Sequence, residues 1–194
     1  MTRKILFSLV LLATISLTAQ EKKWSVEANY PTSIGDDLGN DNPAIIDLGL
    51  KYRFLEIGFA RLGAGINAGV FRDDLRTFAD GETFDFDETN WVIQPKVFME
   101  FKIPALEKLR PSIGLGYTAI TSKFDGDFPG LEEGSSETST DGGININLGL
   151  SYDITKRFFI QAQYDYIQYN IENPGLSDIE QDLGFLKFGA GFRF

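Results

Sequence analysis

The residues that could do chemistry in this chain are carboxylates and cations, because its 194 residues include neither histidine nor cysteine. Histidine is the usual general base near neutral pH and the commonest metal ligand, and cysteine supplies thiolate nucleophiles and disulfides. Charged residues instead recur beside apolar neighbours, with no spacing that indicates a catalytic carboxylate pair. We therefore predict a non-enzymatic protein with no catalytic residues, no metal site and no cofactor.

Strands must position these charges, because apolar and polar residues alternate with the period of two that is typical of a half-buried strand. In one such segment Leu148 and Leu150 share a face, and Asn147 and Gly149 share the other. Pro95 lies inside another segment, where a proline removes a ladder donor and favours a bulge. The pattern predicts eight strands, over residues 24–30, 46–54, 61–71, 91–103, 111–119, 144–152, 158–166 and 186–194.

The polar faces of these strands carry acids and bases in similar numbers. Buried charges must be paired or hydrated, so this set predicts a network of ion pairs inside a narrow barrel; its alternative is a narrow ion-conducting path. The twelve residues of the predicted network are Glu27, Asp47, Lys51, Arg53, Arg61, Lys96, Glu100, Lys102, Asp153, Asp165, Lys187 and Arg193.

The connections between the strands alternate in length. Those over 31–43, 73–89, 122–141 and 170–182 are long, and those over 55–60, 104–109 and 154–157 are short. The four long ones hold 20 of the 28 acidic residues, which indicates a solvated anionic rim, with loose Ca²⁺ or Mg²⁺ bridging to lipopolysaccharide as the alternative. Long external loops and short periplasmic turns are typical of transmembrane barrels.

The first nineteen residues have the order of a secretory signal peptide. Arg3 and Lys4 precede a short apolar stretch, and Ala19 stands just before a polar segment. We expect cleavage after Ala19, which leaves 20–194 as one domain. No later apolar run reaches the roughly 20 residues of a membrane-spanning helix, so a membrane location requires a closed barrel.

Aromatic residues near the strand ends distinguish a membrane barrel from a soluble one. Trp24, Tyr52, Trp91 and Phe158 lie on the apolar faces near strand ends, as in the girdles that anchor a barrel at both lipid interfaces. Glycines crowd the opposite face and leave room for long charged side chains. The sequence predicts an all-β, eight-stranded antiparallel up-and-down transmembrane β-barrel, with a soluble periplasmic ligand-binding barrel as the less favoured alternative.

The last eight residues carry the most specific signal. Lys187, Gly189, Phe192 and the terminal Phe194 occupy the polar, glycine, aromatic and aromatic positions of a motif that resembles the final-strand signal of outer-membrane proteins. The chain as a whole resembles the outer-membrane-protein β-barrel domain family of small, eight-stranded, porin-like proteins. The resemblance implies that the assembly machinery recognises these four residues, that both termini are periplasmic and that the last strand closes on the first.

Three functional interpretations follow. We expect an integral outer-membrane barrel with a structural or surface-interaction role and a filled interior; the alternatives are a narrow channel for ions or small solutes and the soluble ligand-binding barrel. The expected location is the cell outer membrane after export by the secretory pathway. The expected partners are outer-membrane lipid, lipopolysaccharide and the assembly machinery, around a monomer. A net charge of −10 argues against nucleic acid.

Overall fold

Eight antiparallel strands make up the fold in a computed structural model that describes residues 22–34, 45–79, 82–126, 136–171 and 179–194. Every strand pairs with the next along the chain, and the last pairs with the first, so the sheet is a closed barrel. The strands are β1 (Trp24–Ile34), β2 (Ile46–Ile57), β3 (Ala60–Ala79), β4 (Glu82–Phe101), β5 (Leu109–Gly126), β6 (Ser136–Asp153), β7 (Phe158–Ile171) and β8 (Ile179–Arg193).

Closure depends on the two ends of the described chain. The backbone NH of Trp24 donates to the carbonyl of Phe194 at 3.2 Å, and the NH of Phe194 donates back at 3.0 Å. Further along the same seam, Val26 lies opposite Phe192 and Ile34 opposite Gly184. A closed sheet leaves no unpaired strand edge, and the predicted eight-stranded up-and-down barrel is confirmed.

The two faces of the sheet are opposite in character. Apolar side chains such as Leu148, which is 51% exposed, point outward, whereas Asn147 lies inside. On β3 the outward residues run from Leu62 to Val70, close to the roughly 9–11 residues of a tilted strand that crosses a membrane. An apolar exterior around a polar interior, which we call the lumen, excludes the lipocalin-like arrangement of the soluble alternative.

The strands extend further than the sequence predicts at the end that carries the long connections. The segment predicted as a loop over 73–89 forms a ladder in which Asp73 pairs with Glu88 and Ala79 with Glu82. The sequence of this hairpin is rich in acidic residues and does not keep the period of two, so it reads as a loop. The predicted signal peptide and residues 35–44, 80–81, 127–135 and 172–178 of the acidic connections lie outside the described residues.

The bulge also differs from the prediction. Pro95 lies opposite Ile66 in a continuous β3–β4 ladder, and the β4–β5 register is the same on both sides of it. The register shifts instead in β2, between Arg53 and Leu55. Pro95 removes one backbone donor from the ladder, but the strands on both sides keep their register. No helix in the described part of the chain is long and apolar enough to cross a bilayer.

Candidate functional site in the barrel lumen

A buried lysine forms the centre of the charged network. Lys187 on β8 places its Nζ 3.0 Å from Asp47 Oδ2 and 2.8 Å from Asp165 Oδ2. The same ammonium donates to Gln94 Oε1 at 2.6 Å, which joins β8 to β4 across the lumen. Asp47 also accepts hydrogen bonds from Asn29 and Asn67. Since Lys187 is 2% exposed, this cluster fills the middle of the barrel.

A second buried pair lies beside the first. Glu27 contacts the ammonium of Lys51 at 2.9 Å and accepts hydrogen bonds from Gln161 and Gln163. Lys96 reaches Gln163 at 3.5 Å but no carboxylate within ion-pair distance among the described residues. The middle of the lumen therefore holds three carboxylates and three ammonium groups, from Glu27, Asp47, Asp165, Lys51, Lys96 and Lys187.

Arginines dominate the lumen toward the short-turn end. Arg53 contacts Glu100 at 2.9 Å, and Arg110 contacts Asp153 at 2.7 Å. Arg193 pairs with Asp153 and stacks 4.0 Å from the ring centre of Phe159. A Cβ on Gly191 would overlap that ring, so the glycine is required for the ring to enter the lumen.

Two of the twelve residues lie outside the buried network. Arg61 contacts Glu56 at 2.9 Å, and Lys102 pairs with the same carboxylate. Their side chains are 22% and 30% exposed, at the mouth of the barrel. The period of two gave their face correctly, but both stand at strand ends where the lumen opens to water.

An apolar layer crosses the lumen toward the long-loop end. This layer was not predicted from the sequence. The ring centres of Phe71 and Phe185 lie 5.0 Å apart. On β7, the buried Ile167 follows Asp165 by two residues and so has the same facing. Continuing the two-residue count along each polar face would have found this layer, which consists of Phe71, Val92, Ile120, Ile167, Leu183 and Phe185.

The chemical capacity of this lumen is limited by how completely its groups are paired. Side chains fill the interior of an eight-stranded barrel, and each carboxylate of the network contacts a cation or an amide. Among the described residues, no three acids lie close enough together to bind a metal ion. The arrangement therefore holds the strands together and closes the lumen.

The four residues of the proposed terminal signal divide between the two faces of β8. Lys187 and Gly189 face the lumen, where a Cβ on Gly189 would overlap the Asn29 side chain. Phe192 and Phe194 face outward, and the ring centre of Phe192 lies 4.9 Å from that of Phe158. The lumen residues thus have structural contacts of their own, independent of any recognition by the assembly machinery.

Comparison with known proteins agrees with this architecture. The sequence profile described as outer membrane protein beta-barrel domain matches residues 5–194. Ail, the attachment invasion locus protein of Yersinia pestis, is 21% identical with a TM-score of 0.58, covering 90% of this chain and 100% of that one. The N-terminal β-barrel domain of Pseudomonas aeruginosa OprF is 17% identical with a TM-score of 0.52, covering 90% and 98%. Curated proteins give no match.

Proposed function

The chain belongs to the outer membrane protein β-barrel domain family, and we propose that it acts there as a closed structural and surface-interaction barrel. Its location in the outer membrane follows from the family. Export by the secretory pathway belongs to the proposal and is supported by the signal-peptide pattern of residues 1–19.

The apolar layer is the observation that carries this proposal. An ion crossing the lumen would have to pass Phe71 and Phe185 without water, and hydrophobic constrictions block conduction by dewetting. Below that layer, Lys187 bridges the lumen to Gln94. The charged lumen could otherwise favour a narrow channel, but the five carboxylates of its network are engaged in ion pairs across the path.

Single-channel recording in planar bilayers tests the closed lumen. The purified, refolded protein is expected to insert without discrete conductance steps. The double variant Phe71→Ser/Phe185→Ser is also expected to stay closed, because the bridge from Lys187 to Gln94 remains below the apolar layer. Conduction in this variant but not in Phe71→Leu/Phe185→Leu would show that the apolar layer alone closes the lumen. Regular conductance steps from the unaltered protein would overturn the proposal in favour of the channel.

The outer rim supports the surface-interaction part of the proposal. The Ail structure was determined with a heparin analogue, sucrose octasulfate, whereas the long connections of this chain carry 20 acidic residues. A sulfated polyanion is electrostatically disfavoured at such a rim. Contact with lipopolysaccharide bridged by Mg²⁺ or Ca²⁺ fits the charge better, since these cations prefer carboxylate oxygens.

A non-catalytic role is also part of the proposal. The whole sequence lacks the histidine and cysteine that most hydrolytic sites use, and the buried carboxylates are engaged in ion pairs. We further propose a monomer, delivered by the assembly machinery through the terminal residues of β8. Chemical cross-linking in outer-membrane fractions tests the monomer; a dominant cross-linked dimer would contradict it.

A further inference from the structure

The short-turn end of the barrel opens into a cavity of about 700 Å³, which we call the vestibule. It lies on the opposite side of the ion-pair network from the apolar layer, so it communicates with the periplasm. Eight charged residues line it: the cations Lys22, Arg61, Lys108, Arg110, Lys156 and Arg193 and the acids Glu107 and Asp153. Six cations thus face two carboxylates, whereas charges in the middle of the lumen balance.

Three of these cations have no anionic partner in the part of the chain that the structure describes. Within the described ranges, no carboxylate lies within 4.0 Å of the ammonium groups of Lys22, Lys108 or Lys156. Lys22 donates to the backbone carbonyl of Lys156, and the Lys108 ammonium lies 6.0 Å from the ring centre of Tyr152. These lysines are therefore not needed to neutralise the network above them.

The cations also repel one another. Partial burial, together with the positive charges of Arg157, Lys156 and Arg193, lowers the pKa of Lys22 below its usual value. An anion bound in the vestibule would relieve this repulsion, and a cleft lined by one sign of charge concentrates the opposite ion.

One cation is fixed in place beforehand. Asp153, Ser151 and the ring of Phe159 hold the Arg193 guanidinium at the inner wall of the vestibule. Around it, the three flexible lysines can each approach a different oxygen of one ligand. A phosphate group suits this arrangement, because it carries up to two negative charges and three strong acceptor oxygens.

From this geometry we infer that the periplasmic vestibule is a binding site for a phosphate-bearing anion, either a soluble phosphate or the headgroup of an anionic phospholipid in the inner leaflet. The lysines on the two turns that flank it, Lys108 before β5 and Lys156 before β7, are the residues on which affinity depends most. The site is separate from the acidic outer rim and from the closed lumen.

Titration calorimetry of the full refolded barrel in zwitterionic micelles tests the inference, with pyrophosphate as the probe. The unaltered protein is expected to bind one pyrophosphate saturably. The double variant Lys108→Gln/Lys156→Gln is expected to bind at least tenfold more weakly. Lys23→Gln is the matched control: Lys23 stands at the same end but does not line the vestibule, so a change below twofold is expected.

A second titration, in lipid, distinguishes a soluble phosphate from a lipid headgroup. The titration is repeated in nanodiscs of phosphatidylcholine with and without phosphatidylglycerol. Competition by phosphatidylglycerol identifies the headgroup as the occupant, and undiminished binding identifies a soluble phosphate. Absence of saturable binding in every medium would overturn the inference, as would equal weakening in Lys23→Gln and the double variant. Circular dichroism confirms that each variant is folded before titration.

Discussion

Replacing Lys187 with methionine tests the role of the central ion-pair cluster most directly. The ammonium group lies 3.0 Å from Asp47 and 2.8 Å from Asp165, and the lysine is 2% exposed. Lys187→Met keeps most of the side-chain volume but leaves two buried carboxylates without their shared cation. Removing one partner of a buried pair costs about 3–5 kcal/mol, and we expect a loss of unfolding free energy in that range.

A second substitution should restore much of that loss. In Lys187→Met/Asp165→Asn the middle of the lumen again holds equal numbers of positive and negative groups, because the carboxylates of Glu27 and Asp47 remain with the ammonium groups of Lys51 and Lys96. Asp47 keeps the hydrogen bonds from Asn29 and Asn67 at 2.8 and 2.6 Å. The double variant should therefore be more stable than Lys187→Met alone, although it contains one more substitution.

Urea unfolding of the barrel refolded in lipid vesicles measures both effects, with tryptophan fluorescence and heat-modifiable gel migration as probes. Lys102→Met is the matched control, because its pair with Glu56 is partly exposed and such pairs contribute about 0–1 kcal/mol. The reasoning fails if Lys187→Met costs no more than Lys102→Met, or if adding Asp165→Asn destabilises the barrel further.

Two further predictions concern the lipid face and the end of the chain. Leu148→Arg, in the outward-facing apolar band, should cost about 2–4 kcal/mol of unfolding free energy in lipid vesicles, whereas Leu148→Ala should cost far less; equal costs would contradict the assigned facing. Deleting Phe194, which is 36% exposed, should cost at most about 1.5–3 kcal/mol on refolding in detergent but should cause periplasmic degradation in cells. Normal assembly of that truncated chain in the outer membrane would refute a recognition role.

The barrel itself was predictable because one physical rule governs every strand. Lipid outside and charged residues inside impose a period of two, which gave Leu148 and Asn147 their opposite faces. Closure followed because a membrane protein without a spanning helix requires a closed barrel, and the family resemblance implied that the last strand pairs with the first. Family membership and the eight-stranded topology bear out these predictions.

Contacts across the lumen could not be predicted, because the alternation of apolar and polar residues does not show how far each strand is shifted against its neighbour. The ion pair between Arg53 and Glu100 joins residues 47 positions apart, and only the shear of the closed sheet brings them together. The apolar layer was missed because the seventh predicted strand ends at residue 166 and the eighth begins at residue 186, so Ile167 and Phe185 fell just outside them. The hairpin beyond Phe71 was missed because its sequence is rich in acidic residues and does not keep the period of two.

The paired ladder of β3 and β4 extends the barrel beyond the apolar layer by a defined length. The backbone of β3 continues for eight residues from Phe71 to Ala79, paired throughout with β4. At about 3.3 Å per residue this is roughly 26 Å of strand, or about 20 Å of height at the usual barrel tilt. A partner that contacts the end of this paired ladder is therefore held beyond the apolar band, and shortening β3 and β4 in two-residue steps would move that contact closer to the membrane without altering the barrel within it.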